Sequence, residues 1–197
     1  MNTQLVTDAP AGSRRQRRRA HRPRPSTSIV LRSAGSGEAS TLHALIRAHL
    51  EEGRLLPRAL DELAVHADRF VVAVRRGLIV GCAELAPLSG RVAEVRSLVV
   101  DRRARFLGIG RNLVTELQRR ARIAGFEQLC VFAHDAAYFA RMGFSIVPHT
   151  WVPDKIARDC TTCAQFRRCG QVALVLPLVD ARLKRVHTYV PLAALRG

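Results

Sequence analysis

The sequence predicts an α/β (α+β) fold in which a mostly antiparallel sheet is flanked by helices. Apolar runs with the length of strands alternate with segments of helical period, in the order β, α, α, β, β, β, α, β, α, β, β. The three consecutive strands between residues 69 and 100 are separated by short turns and form an antiparallel meander. At 197 residues, of which 48% are hydrophobic, the chain is large enough for a single domain with its own core.

The N-terminal half contributes one strand and two helices before the meander. Residues 28–32 have the pattern of a strand, and apolar residues then recur at helical spacing until Gly53. Pro57 suits the first turn of a second, short helix that ends at Leu63. The meander strands are predicted at residues 69–74, 78–85 and 94–100.

The C-terminal half begins with a helix whose apolar face repeats from Gly108 until Gly125. A short helix is predicted at residues 136–141, and the polar, cysteine-bearing stretch 148–170 receives no regular element. The remaining strands are predicted at residues 129–132, 144–147 and 172–176.

The excess of basic residues points to anionic partners. Lys and Arg number 32 and Asp and Glu 16, a formal net charge of +16. This balance favours nucleic acid, an acidic surface, or a phosphorylated cofactor with an acidic substrate. Seven arginines fall within residues 1–25, so we expect residues 1–27 to form a disordered, Arg-rich arm rather than a nucleic-acid arm or a secretory signal. Residues 179–197 are predicted to be a basic tail.

Two further properties bear on location. No apolar run approaches the length of a membrane span, so no membrane partner is expected. Five cysteines without an extracellular signal predict reduced thiols and a cytoplasmic protein.

The stretch from Ala93 to Arg111 joins a strand, a basic loop and a glycine-flanked helix start. Glycines allow close backbone approach, and the unpaired N–H groups and dipole of a helix N-terminus favour a phosphate. The spacing is neither GxxxxGK[ST] nor GxGxxG; it is Arg105-x-x-Gly108-x-Gly110. The alternative is a glycine pair that only turns the chain.

This loop, the order of elements and the segment YFARMGF (Tyr138 to Phe144) together resemble the GNAT N-acetyltransferase superfamily over residues 28–178. Within it the chain is most similar to the acetyltransferase domain of N-acetylglutamate synthases. Four segments carry that narrower resemblance: LLPR from Leu55, GCAEL from Gly81, AEVRSLVV from Ala93, and DKI from Asp154 with Cys160 and Cys163 beyond it. Since no amino-acid-kinase domain is present, the chain resembles the short, single-domain form of these enzymes.

The resemblance implies a mixed, mostly antiparallel sheet of about seven strands that splays between strands 4 and 5. It also implies acetyl-CoA as cosubstrate and L-glutamate as acceptor, with direct acetyl transfer to the α-amino group as the first step of arginine biosynthesis. The alternatives are a GNAT enzyme for another amino acid or a protein amine, and a non-catalytic acetyl-CoA or nucleic-acid-binding module. A homodimer is a further possibility that the sequence does not decide.

The donor site follows from the same resemblance. Backbone N–H groups of Leu98, Val99 and Val100 would polarise the thioester oxygen where the sheet splays. The pyrophosphate would lie on the loop and helix start, formed by Arg105, Phe106, Leu107, Gly108, Ile109, Gly110 and Arg111.

Glu94 matches the general-base position of the family and is expected to act through a water. The alternative is a solvent-facing glutamate paired with Arg96, since period 2 puts both side chains on one face of the strand. Glu84 on the neighbouring strand is a second candidate base, or a structural residue.

The proton for the leaving thiolate has no single predicted source. Many GNAT enzymes use a tyrosine four residues before the Gly-Phe pair, but that position is Phe139 here. The neighbouring Tyr138 is expected to point elsewhere. Ser97, Tyr138 and water remain candidates.

Fixed cations are needed for a dicarboxylate acceptor, and Arg58, Arg96 and Lys155 lie in the family's substrate-binding motifs. The alternative for each of them, taken alone, is a solvated surface charge, because the chain is strongly basic; the three together favour binding. The set Cys160, Cys163 and Cys169 suggests zinc, with His149 or Asp159 as fourth ligand, only as a minority alternative to a reduced loop; no metal is expected. Cys82 and Cys130 are expected in the core.

Overall fold

A computed structural model describes residues 28–52, 55–163 and 165–179, and a seven-stranded sheet is its centre. The strand order is β1-β2-β3-β4-β5-β7-β6, and β4 and β5 are the parallel pair in an otherwise antiparallel sheet. The strands are β1 (Ile29–Ser33), β2 (Phe70–Arg75), β3 (Leu78–Pro87), β4 (Val92–Val100), β5 (Gln128–Ala133), β6 (Ser145–Val147) and β7 (Val172–Pro177). The predicted fold class is confirmed. The predicted arm and nearly all of the predicted tail lie outside the described residues.

Helices cover both faces of the sheet. They are α1 (Ala39–Arg47), α2 (Leu60–Val65), α3 (Ile109–Ile123), α4 (Ala136–Ala140) and α5 (Pro153–Lys155), the last continuing into a π-helical turn, Ile156–Cys160. No helix of the described part of the chain combines the length and the apolar character that crossing a bilayer requires.

The period-2 alternation of β2 divides the core between the two faces. Val71 and Ala73 pack in the cluster that contains the α3 residues Leu113 and Leu117, while Val72 packs with the residues of α1 and α2. All five residues are fully buried. The sheet is therefore fixed from both sides, which gives the site a rigid base.

Two predicted elements differ from the structure. Residues 55–59 form no helix. Ala59, with an extended backbone, is the N-cap residue of α2, which begins at Leu60. Pro57 therefore lies before the helix and not in its first turn. The side chain of Arg58 forms ion pairs with Glu62 on α2 and with Glu84 on β3. These contacts hold residues 55–59 against the sheet before α2 begins. The stretch 148–170, predicted without elements, contains several short helical turns.

The sheet opens beside β4. The parallel register between β4 and β5 covers residues 92–94 and ends at the pair Glu94–Cys130. On the other side β4 carries a bulge, because the register with β3 shifts between Cys82 and Glu84. Ser97, within this bulge, has a left-handed φ of 49°. The strand's second half therefore has one edge free, as the predicted splay requires.

Candidate active site

A cavity of about 1130 Å³ lies at the splay between β4 and β5. Its walls come from β4, the loop before α3, the segment between α1 and α2, and residues 155–171. Of the predicted site residues, those that line it are Arg58, Glu94, Arg96, Ser97, Leu98, Val99, Val100, Arg105, Phe106, Gly108, Ile109, Gly110, Arg111 and Lys155. Leu107 is exposed and lies outside the lining. Residues far apart in sequence therefore meet in one cleft.

The start of α3 forms one end of the cleft. Gly108 is the N-cap residue with φ of 74°, and the first intrahelical bond runs from the Asn112 N–H to the Gly108 carbonyl at 3.0 Å. The N–H groups of Ile109, Gly110 and Arg111 precede that bond and have no intrahelical partner. A 15-residue helix directs its positive end into the cavity here, which suits an anionic group.

The arginines at this end differ in their partners. Arg105 forms an ion pair with Glu52, at 2.7 and 2.8 Å, and Arg102 contacts the same carboxylate at 3.0 Å. Hydrogen bonds from Arg105 and then Arg102 lower the pKa of Glu52 to about 2. Arg111 and Arg141 line the cleft, and neither forms an ion pair with the residues that the structure describes. They are the cations available to a ligand phosphate.

Tyr138 faces the cleft, so the expectation that it points elsewhere is wrong. Its hydroxyl is buried and has no hydrogen-bond partner among the described residues, and burial raises the pKa of the phenol. A Cβ atom built on Gly110 would lie 2.7 Å from the Tyr138 Oη atom, so this hydroxyl lies against the first turn of α3. Phe139 also lines the cleft, but it is buried in the core, in edge-to-face contact with Phe144.

The opposite end of the cleft contains a buried charge cluster around Glu94. This glutamate is only 3% exposed. Arg96 Nε lies 2.5 Å from its carboxylate and Lys155 Nζ 2.9 Å. Asp159 accepts from both cations, with Lys155 Nζ at 2.9 Å and Arg96 through Nη2. Burial disfavours the charge on Arg96, but Glu94 and Asp159 outweigh it and raise the guanidinium pKa.

The structure combines parts of both sequence-based interpretations of Glu94. The carboxylate is paired with Arg96, as period 2 along β4 predicts, yet it faces the cleft rather than bulk solvent. The Lys155 ammonium also lies 5.4 Å from the centre of the Phe132 ring, which fixes its position.

Arg58 organises a second charge cluster beside the first. Its guanidinium contacts Glu84 at 2.8 Å and Glu62 at 2.7 Å, and it donates to the Ser97 hydroxyl at 3.0 Å. Glu84 is 1% exposed and is not among the described residues that line the cavity. Glu84 therefore holds Arg58, whereas Glu94 faces the cleft. Because Ser97 accepts from Arg58, its own hydroxyl hydrogen is free to donate.

The three clustered cysteines, Cys160, Cys163 and Cys169, line the cleft near Asp159. Within the described ranges, no three His, Cys, Asp or Glu side chains are grouped to hold a metal ion, so the zinc alternative finds no support there. His149, a candidate fourth ligand, instead forms a hydrogen bond from its Nε2 atom to the Gln171 carbonyl at 2.9 Å. Cys82 and Cys130 are buried in the core, and burial raises the pKa of the Cys82 thiol to about 12.

Sequence reasoning missed several residues of the cleft wall, among them His49 and Glu52. His49 is buried, its Nδ1–H donates to the Leu45 carbonyl at 2.8 Å, and its Nε2 atom has no partner among the described residues. No motif or period distinguishes either residue, since both follow a helix end. Only the tertiary fold brings them to the cleft.

Comparisons with known proteins agree with this geometry. A family model described as "Acetyltransferase (GNAT) domain" matches residues 66–146. An uncharacterized N-acetyltransferase of Chlorobaculum tepidum is 31% identical over 154 residues, 78% of this chain and 99% of that protein. An amino-acid acetyltransferase of Pseudomonas aeruginosa is 34% identical over 116 residues, covering 58% of this chain but only 27% of that protein. The chain thus spans about a quarter of the amino-acid acetyltransferases it matches.

Solved structures give the same result. An N-acetylglutamate synthase from Neisseria gonorrhoeae, complexed with coenzyme A and N-acetyl-glutamate, superposes with a TM-score of 0.70 at 26% identity, over 79% of this chain and 36% of that one. A Mycobacterium tuberculosis protein in complex with CoA has a TM-score of 0.67 at 23% identity, over 76% and 99% of the two chains. The second likeness concerns the fold alone.

Proposed function

This chain belongs to the GNAT acetyltransferase family, and on that premise we propose that it transfers the acetyl group of acetyl-CoA to the α-amino group of L-glutamate. The observation that carries the proposal is that one cleft contains both a helix start that suits an anion and a buried carboxylate with cations beside it. A helix N-terminus lies at one end, beside two arginines that form no ion pair with the described residues, and a buried carboxylate flanked by cations lies at the other. The product, N-acetylglutamate, would make this the first step of arginine biosynthesis.

The donor would bind along the free edge of β4. Its pyrophosphate would accept from the N–H groups at the start of α3, with Arg111 and Arg141 adding charge. The acyl end would then reach the bulge of β4, beyond the last residue paired with β5, where backbone N–H groups among residues 98–100 would meet it. Donors fixed at that point stabilise the charge that develops on the thioester oxygen.

The acceptor's ammonium group must lose a proton before it can attack. Glu94 would take that proton through a water, and the neutral amine would then form the C–N bond to the acetyl carbon. The C–S bond breaks as the tetrahedral intermediate collapses, the new amide nitrogen releases its second proton, and the CoA thiolate takes up one proton. The net release is therefore the single proton passed to Glu94. Ser97 suits this step because Arg58 donates to its oxygen and leaves its hydrogen free. Tyr138 is the alternative, since it lines the cleft and its buried hydroxyl has no hydrogen-bond partner among the described residues.

The acceptor's carboxylates require the cations of the second half of the cleft. Arg58, Arg96 and Lys155 lie in its wall at no more than 20% side-chain exposure, which makes them stronger ligands for an anion than solvated surface charges. These are the cations that the family resemblance marks as acceptor-binding.

The test is a panel of acceptors. The full chain is incubated with acetyl-CoA and glutamate, glutamine, aspartate, arginine, a polyamine or a lysine-containing peptide, and CoA release is followed. We expect the highest kcat/KM with glutamate. A higher kcat/KM with the polyamine or the peptide would refute an amino-acid acceptor while leaving the family assignment intact, and a higher value with another amino acid would replace glutamate as acceptor.

A further inference from the structure

The acceptor end of the cleft holds more carboxylates than cations. Its contacting groups are the cations Arg58, Arg96 and Lys155 and the carboxylates Glu62, Glu84, Glu94 and Asp159. Three positive charges thus face four negative charges. An acceptor that brings a further carboxylate meets a site whose cations are already neutralised, so one of the protein's own carboxylates must give way.

Asp159 is the carboxylate best placed to give way. Its side chain is 30% exposed, against 4% for Glu94 and 2% for Glu84, which are held within the sheet. Glu62 is more exposed still, but its carboxylate contacts Arg58 alone. Asp159 bridges two cations, and one of its oxygens, Oδ2, accepts from both Lys155 and Arg96.

The backbone around Asp159 is also unlike that of its neighbours in the site. Asp159 lies in the π-helical turn Ile156–Cys160, outside the sheet, whereas Glu94 and Arg96 belong to β4. A π-helical turn is a rare form of helix that is frequently found at functional sites. The turn can therefore release its side chain at lower cost than a strand residue can.

We propose that Asp159 is a displaceable stand-in for the acceptor's carboxylate. In the free protein it occupies the place between Arg96 and Lys155 that an acceptor carboxylate requires, and binding of the acceptor displaces it. Asp159 thereby sets the KM for amino acids through competition. The inference rests on the proposed function, because it assumes that an amino acid binds at this end of the cleft.

The sign of the change in KM distinguishes this role from a structural one. If Asp159 competes with the acceptor, Asp159→Asn lowers the KM for glutamate, on the order of tenfold, and leaves kcat within a few-fold. If Asp159 only positions Arg96 and Lys155, the same variant raises the KM. Asp159→Ser tests the same point with a shorter side chain should the Asn variant fold poorly. Asp61→Asn removes an exposed carboxylate outside the cleft and is the matched control.

The experiment measures KM for glutamate and glutamine with the wild type, both Asp159 variants and Asp61→Asn. A lower KM for glutamate alone identifies the side-chain carboxylate as the competitor, and a lower KM for both acceptors identifies the α-carboxylate; either supports the proposal. An unchanged or higher KM for glutamate in the Asp159 variants overturns the proposal. If the wild type still turns over glutamate in the same experiment, the proposed function stands. Titration of glutamate into the CoA-saturated chain applies the same criterion without turnover, so a failure of the proposed activity is recognised separately.

Discussion

Replacement of Glu94 by glutamine is the perturbation that tests the proposed chemistry most sharply. Glutamine keeps the shape of the side chain and its capacity to accept from Lys155, which lies 2.9 Å away, but removes the negative charge and the proton acceptor. General-base catalysis contributes about 10²- to 10⁴-fold to such reactions. We therefore expect kcat with glutamate to fall by that factor, about 3 to 5 kcal/mol of activation free energy at 1.36 kcal/mol per tenfold.

The structure also predicts the direction of the KM change. With Glu94 neutral, three cations face three carboxylates at the acceptor end, so the attraction for a carboxylate substrate increases. The KM for glutamate should stay the same or fall while kcat collapses. A loss of fold would instead impair both parameters and lower the melting temperature.

Steady-state kinetics between pH 6 and 10 is the assay, because a neutral amine formed by solvent at high pH bypasses the missing base. The variant should thus recover part of its rate as pH rises. Glu62→Gln is the matched control, since Glu62 lines the same cleft and pairs with Arg58 but lies away from Glu94. A Glu94→Gln enzyme with kcat within tenfold of wild type at pH 7 would refute the role of Glu94 as base.

Three further predictions concern other parts of the cleft. Gly110→Ala places a Cβ atom 2.7 Å from the Tyr138 hydroxyl oxygen and should raise the KM for acetyl-CoA about tenfold; adding Tyr138→Phe should restore part of it, and no restoration would contradict the contact. Glu52→Gln should destabilise the fold by about 1 kcal/mol at pH 7 by chemical denaturation. The pKa of Glu52 is lowered to about 2, so its contribution is present above pH 4.5 and is lost as the pH falls toward 2; an equal acid sensitivity in the variant would argue against the pairing with Arg105. Asp159→Asn should lower the KM for glutamate, and a rise would assign Asp159 a positioning role.

Local patterns were sufficient to predict the framework of the site. The helix start at Gly108 and Gly110 is encoded within a few residues, because a left-handed N-cap and an amphipathic repeat are local properties. The meander was likewise predictable, since its three strands are joined by short turns. These features place the glycine loop directly after the strand that bears Glu94.

The charge cluster could not be predicted from the same patterns. Lys155 and Asp159 reach Glu94 and Arg96 across more than 60 residues of chain, and the turn that carries them has no periodic signal. In the sequence, Lys155 was a candidate only through the family resemblance, and Asp159 was considered as a zinc ligand. Only the tertiary structure reveals that the Asp159 carboxylate accepts hydrogen bonds from both Arg96 and Lys155.

Tyr138 illustrates the same limit. From sequence it was expected to point away from the cleft, because Phe139 occupies the family's tyrosine position. The short helix α4 instead buries Phe139 against Phe144 and turns Tyr138 toward Gly110. Which side of a five-residue helix faces the core is decided by the neighbouring strands, not by the helix's own sequence.

The amount of N-acetylglutamate formed for each CoA released is the most direct measure of the proposed reaction. The full chain is supplied with acetyl-CoA and glutamate, CoA is quantified through its thiol, and the product is quantified by mass spectrometry. We expect one N-acetylglutamate per CoA, acetylated on the α-amino group, with little CoA released when glutamate is omitted. CoA release at the same rate without glutamate, or without N-acetylglutamate as product, would contradict this expectation.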